Sequence, residues 1–240
     1  MKNLQIRFVA DDLGWDRSAN ESIIHTHQHG VLTSAALMMG QPGTEEAIVL
    51  ARQNPRLEVG LHFHFCDSIP LTTSQWPWGE NPASLGFQLG FKTGSFDLIL
   101  REIQAQWNAF KLTGLTPSFV NVHHHMHAHP WIAFQLNRFL KRERFHGWIR
   151  LGKPSFFSHG DQWKSTLISP LVAQYQKIFG LETPETLWGI DRPFQMNPEE
   201  VRQAIGTLTG GIHELIFHPR HLQDCDTLCL IQLKQLGFHS

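Results

Sequence analysis

Short apolar runs alternate with longer amphipathic stretches along nearly the whole chain, and this alternation limits the fold more than any other feature. "LQIRFVA" (4–10), "LEVGLHFHF" (57–65), "SFVNV" (118–122), "GWIRL" (147–151) and "ELIFH" (214–218) read as strands, with "TSAALMM" (33–39) as another. Helical periodicity lies between them at 17–29, 44–54, 96–114, 130–143 and 197–208. Gly114 is placed to cap the third of these helices, and Pro130 suits the first turn of the fourth. Strand followed by helix, repeated, predicts parallel strands joined by right-handed crossovers. About seven or eight such units fit the length. Two stretches break the rhythm. Residues 66–93, rich in Pro, Gly and Trp, make a connection long enough to cover a site, and 152–186 reads as an irregular excursion. No domain boundary is evident, so residues 1–240 are expected to form one domain.

The polar residues fall where that topology gives them meaning. Asp11 and Asp12 end the first strand, His62 and His64 lie near the end of the third, and His123 follows "SFVNV". Arg150 and His218 end two further strands. In a parallel α/β barrel the C-terminal strand ends gather at one rim, which holds the active site. A carboxylate and two imidazoles from separate strands form a set that divalent metals favour. Five histidines stand within "NVHHHMHAHP" (121–130), out of 16 in the chain. Strand geometry would put His123, His125 and His127 on one side and His124 on the other. His129, before Pro130, suits a structural role, and His25, His27 and His29 are expected to be solvated on their helix.

Composition excludes some classes. The net charge of -1 leaves no electrostatic footprint for nucleic acid or an anionic membrane. No signal-peptide pattern opens the sequence, and no apolar run reaches the roughly 18 residues of a membrane span. Three cysteines, Cys66, Cys225 and Cys229, lack paired zinc-ligand spacing and fit a reducing cytoplasm. Seventeen phenylalanines and eight tryptophans against one tyrosine suggest apolar walls and stacking platforms.

"ADDLG", "VGLHFHF", "NVHHHMHAHP" and "IFHP" resemble, in order and spacing, motifs of the YdjC-like carbohydrate deacetylases, and "ANESIIHTHQHGVLTSAALMMGQP" resembles that family's helix and second strand. The likeness covers about residues 4–220 and weakens over 66–93 and 152–200. It implies a TIM-like, irregular (β/α) barrel related to the polysaccharide deacetylases. It also implies one divalent ion, magnesium or zinc, held by Asp12, His62 and His123, with Asp11 as catalytic base. Arg150 and His218 match family positions lining the pocket. The chain departs from the family at Leu13, usually phenylalanine, and at Asn121-Val122, usually Asp-Ser. Asn121 can still accept a hydrogen bond from a ligand imidazole, but without the charge that would raise its basicity.

The expected reaction is hydrolysis of an N-acetyl group on an amino sugar, in an oligosaccharide or a glycolipid. Asp11 would take the water proton, and this requires the chain to turn at residue 12, which Gly14 permits. His218 is the candidate acid for the leaving amine. Arg150 would orient Asp11 or hold a sugar or phosphate oxygen. His125 and His64 are expected outside the metal's first shell. Trp15, Trp76 and Trp78 could stack on sugar rings, core packing being the commoner role for each. A metal-dependent phosphoesterase and a non-catalytic metal- or sugar-binding protein remain alternatives, and a homodimer is compatible with the sequence.

Overall fold

Residues 3–91, 93–157 and 162–231 are described by the computed structural model. In chain order they form β1 (Leu4–Leu13), α1 (Arg17–His29), β2 (Ser34–Leu37), α2 (Thr44–Gln53), β3 (Glu58–Phe63), α3 (Pro82–Phe91), α4 (Thr93–Leu112) and β4 (Phe119–Val122). A short 3₁₀ segment, His123–Ala128, leads into α5 (Pro130–Arg142), β5 (Trp148–Ile149), β6 (Lys153–Ser155), α6 (Gln162–Phe179), β7 (Thr186–Trp188), α7 (Pro198–Thr207), β8 (Gly211–Phe217) and α8 (Leu222–Leu230).

The eight strands form one sheet in the order β5-β4-β3-β2-β1-β8-β7-β6, with every pairing parallel. Its two edges are neighbours in sequence, since only residues 150–152 separate β5 from β6. The sheet therefore curls until one interrupted strand serves β4 on one side and β7 on the other. Arg150 N–H donates to Val120 O, and Lys153 N–H donates to Glu185 O, across that join. The result is the expected irregular, TIM-like α/β architecture.

Strand alternation sorts the side chains into two environments. Phe8 and Ala10, Leu61 and Phe63, Val120 and Val122, and Leu215 and Phe217 face outward into the main apolar core. The opposite parity points into the barrel. There Val9, Ala36, Phe119 and Trp148 form a separate apolar layer. The missing Cβ of Gly60 makes room for the Phe119 ring, which would lie 2.5 Å from it. One pleat further along their strands stand Asp11, His62, Asn121 and Arg150, and Glu214 on β8, level with Arg7 of β1, has the same inward parity, every one of them buried. The same periodicity that builds the core thus delivers a polar layer above it.

Several sequence expectations need correction. Among the described residues of 152–186 the chain is not irregular: it holds β6 and α6 and reaches the start of β7. Strands of three residues are too short to show a period, and Pro170 interrupts the helical pattern of α6. The long connection at 66–93 ends in α3. The histidine run is no strand, because His124 and His125 both adopt left-handed backbone angles, φ 52° each, inside a 3₁₀ segment. Gly114 does cap α4, with φ 74° and its N–H on Lys111 O. Three free cysteines and the absence of any helix long and apolar enough to cross a membrane hold among the described residues. The expectation of one domain over 1–240 extends to residues 1, 2, 92, 158–161 and 232–240, which lie outside the described residues.

Candidate metal centre

Adjacent residues of a strand face opposite ways, yet Asp11 and Asp12 reach the same hollow. The β1–β2 register shifts between Ala10 and Leu13, and Asp12 takes φ 67°. Aspartate tolerates this left-handed backbone better than most residues. Gly14, with φ 88°, completes the turn: a Cβ there would lie 2.9 Å from Met38 O.

The bulge sets Asp12 against two imidazoles. Asp12 Oδ1 is 3.6 Å from His62 Nε2 and 3.4 Å from His123 Nδ1, and the two nitrogens are 3.2 Å apart. Donors held about 2.1 Å from a tetrahedral ion are separated by about 3.4 Å, so one cation fits between them. Among the described residues neither Asp12 oxygen has a hydrogen-bond partner, its nearest charged neighbours being His123 at 3.4 Å and Arg220 at 4.0 Å, a state that a bound cation would complete.

Asn121 prepares His62. Its Nδ2 donates to Asp11 Oδ1 at 2.9 Å, so its Oδ1 accepts from His62 Nδ1–H at 2.7 Å. The proton is thereby fixed on Nδ1, and the Nε2 lone pair faces Asp12. Burial lowers the His62 pKa to about 4. His123 behaves oppositely. Burial disfavours its charged form, but the Asp12 and Asp67 carboxylates outweigh burial and raise it to about 9. Asp12 itself stays well below the usual carboxylate range despite burial, held there chiefly by His123.

Asp11 sits beside the trio and is tied to Arg150. Arg150 donates through Nη1 to Oδ2 at 2.5 Å and through Nη2 to Oδ1 at 2.8 Å, while its Nε donates to Glu214 Oε1 at 2.5 Å. Arg150 is 0% exposed, so it cannot hold a substrate oxygen; orienting Asp11 is the role its position allows. Burial would raise the Asp11 pKa, but the guanidinium keeps it far below the carboxylate range. Glu214, with one ion-pair contact among the described residues, is pushed up by burial to about 7.

His218 Nε2 lies 4.0 Å from Asp11 Oδ2, and its backbone N–H donates to Asp224 Oδ2 at 2.7 Å. Trp15 packs on His123, with ring centroids 5.7 Å apart. His64 is closed to a ligand role, because Nε2 meets Met39 O at 3.0 Å and Nδ1 meets Ser68 Oγ at 2.9 Å. His125 stands outside the trio, its ring 5.9 Å from that of His127. Trp76 and Trp78 are buried, with indole N–H groups on Ser68 Oγ and Phe65 O, and belong to the core. On α1, His25 and His29 are exposed as expected, whereas His27 is half-buried with Nδ1 2.8 Å from Leu32 O.

Sequence reasoning missed three charged neighbours. Glu214 shares the inward parity of His218, a signal that was available. Arg220, whose guanidinium lies 4.9 Å over Trp15 and 5.3 Å over Phe194, brings Nε to 4.0 Å from Asp12 Oδ2. Asp67 lies in the 66–93 connection, where no periodicity points to it.

Known proteins bear on this geometry. A family model described as "YdjC-like protein" matches residues 5–232. A carbohydrate deacetylase of Vibrio campbellii is 34% identical over 143 residues, 59% of this chain and 57% of that protein. One from Geobacillus stearothermophilus is 36% identical over 138 residues, 56% of this chain and 55% of that protein. The matched stretch thus spans little more than half the length of these relatives. A crystal structure from Enterococcus faecalis, described as a candidate cellobiose-phosphate cleavage protein, superposes with a TM-score of 0.73 at 17% identity. It covers 98% of this chain and 94% of its own, a likeness of fold. With its strand-end motifs inside a match that runs almost from end to end, the chain belongs to the YdjC-like protein family.

Proposed function

We propose that the protein is a metal-dependent carbohydrate N-deacetylase, releasing acetate and a free amine from an N-acetylated amino sugar of an oligosaccharide or glycolipid. The observation that carries this reading is the convergence of Asp12 Oδ1, His62 Nε2 and His123 Nδ1, with neither Asp12 oxygen hydrogen-bonded among the described residues. The names of the carbohydrate deacetylases it resembles support it. Two imidazoles and one carboxylate suit zinc better than magnesium. A divalent ion in that position would supply Lewis acidity for the amide carbonyl and acidify a water molecule.

The chain's own residues do the rest. Asp11, held ionised by Arg150, is placed to accept the proton of the attacking water. His218, beside Asp11, delivers a proton to the departing amine nitrogen. Trp15 walls the hollow, where a sugar ring can pack on its face. Free cysteines fit a reducing, cytoplasmic setting.

Incubating the full chain with N-acetylglucosamine oligomers and zinc or magnesium should release acetate, and a chelator should stop it. Asp11→Asn should lower the rate by about 10²–10⁴-fold. No acetate from the wild type sinks the activity; an unaffected Asp11→Asn sinks the base.

Metal affinity should also depend on pH. Below about 9 the metal-free site carries a proton on His123, which a cation must displace. His62, lowered to about 4, is already neutral at working pH and adds no second proton. Affinity should therefore rise about tenfold per pH unit between pH 6 and 8, with one proton released per ion, as read by chelator competition and calorimetry in two buffers. A flat profile would contradict the assignment of His123.

A further inference from the structure

Asn121 gives His62 an oriented but neutral partner, and the other imidazole of the trio has a charged carboxylate beside its far nitrogen. His123 Nε2 is buried with no hydrogen-bond partner and points toward Asp67 Oδ2, 3.8 Å away. The same oxygen lies 3.1 Å from His124 Nε2. Asp67, His124 and His125 all have left-handed backbone, with φ between 48° and 52°. Three such non-glycine residues around one contact mark a geometry that the surroundings impose.

Those surroundings are visible. Ser68 Oγ, next to Asp67, meets His64 Nδ1 at 2.9 Å and donates to Cys66 O. Gln41 bonds Ile69 on both sides, accepting from its N–H and donating to its carbonyl. Glu102, fully buried, accepts from the N–H groups of Leu71 and Thr72 and from the Thr72 hydroxyl. The connection that carries Asp67 is thus pinned to β3, to the residues after β2 and to α4. This gives the buried His64 a use as the anchor of Ser68.

We infer that Asp67 is a positioning residue for the metal centre: its carboxylate receives the Nε2–H of His123 once Nδ1 faces the ion, and supplies the negative charge that Asn121 does not bring. This rests on the deacetylase reading, in which His123 is a ligand. A carboxylate behind a ligand imidazole fixes its ring and raises its basicity. The 3.8 Å separation closes by a small movement of a side chain that is 40% exposed. Asp67, His123 and His124 also have the spacing of a second cation site. A second ion would have to take the His123 nitrogen that keeps its proton when Nδ1 ligates, so we assign the carboxylate to the proton.

The test is the zinc dissociation constant of the full chain by chelator competition, with the visible spectrum of the cobalt-substituted protein. Asp67→Asn should weaken zinc binding by about tenfold, the low end of such effects for a half-exposed partner, and alter the cobalt bands. Asp67→Glu should restore much of both, which a change in loop folding alone would not. The metal-free variants should keep the wild-type circular dichroism. Wild-type affinity and spectrum in Asp67→Asn would overturn the role of Asp67 while leaving the trio intact. Two zinc ions per wild-type chain, the second lost in Asp67→Asn, would overturn it in favour of a ligand. A wild type that binds no ion removes the deacetylase reading and this inference together.

Discussion

Asp12→Asn should leave a folded protein with almost no bound metal and acetate release lower by about 10³-fold or more. The substitution keeps the shape and tolerates the same left-handed backbone, φ 67°, as asparagine often does. It removes the one carboxylate of the trio, and with it the negative charge that draws a divalent ion into a buried site. Lewis-acid assistance contributes several kcal/mol to such a reaction, and about 4 kcal/mol corresponds to about 10³-fold in rate. Asp11 cannot substitute as the anionic ligand, because its charge is already balanced by the Arg150 guanidinium. Elemental analysis after dialysis, an acetate assay and circular dichroism measure the three parts separately. Full metal content in Asp12→Asn would place the ion elsewhere and remove the basis of the mechanism.

The outcome depends on residues whose meaning was legible only in part from the sequence. Strand alternation told where Asp11, His62, Asn121 and Arg150 would stand, because parity within a strand is fixed once its outer face is apolar. The turn at Asp12 was legible for the same reason, since two adjacent carboxylates can share a hollow only if the strand bulges. The histidine run was not. A strand reading gives it alternating sides, whereas two left-handed residues wind it into a 3₁₀ segment and leave His123 alone at the trio. Asp67 and Arg220 escaped because they reach the site from connections, where no period relates a residue number to a direction. The segment from β6 to β7 escaped because its strands have three residues each and its helix contains a proline.

Arg150→Met should cost about 3–5 kcal/mol of stability, a fall in melting temperature of about 10 °C for a chain of this size. Arg150 is wholly buried between Asp11 and Glu214, so its removal strands two carboxylates in the barrel interior. Met fills much of the volume, and the loss is therefore electrostatic rather than a cavity effect. The two acids then separate the cause by pH. With Arg150 present, Asp11 has a pKa far below its unfolded value, and the stability this gives is kept above about 4 and lost only in acid. Glu214 is already raised to about 7 by burial, and without the guanidinium it rises further, as Asp11 does. A raised carboxyl must ionise at a cost as pH increases, so the variant should be nearer to wild type at pH 5.5 than at pH 8. Adding Glu214→Gln should recover part of the loss at pH 8 and little at pH 5.5. A deficit that is the same at both values would mean that packing, not unpaired charge, is what Arg150 provides.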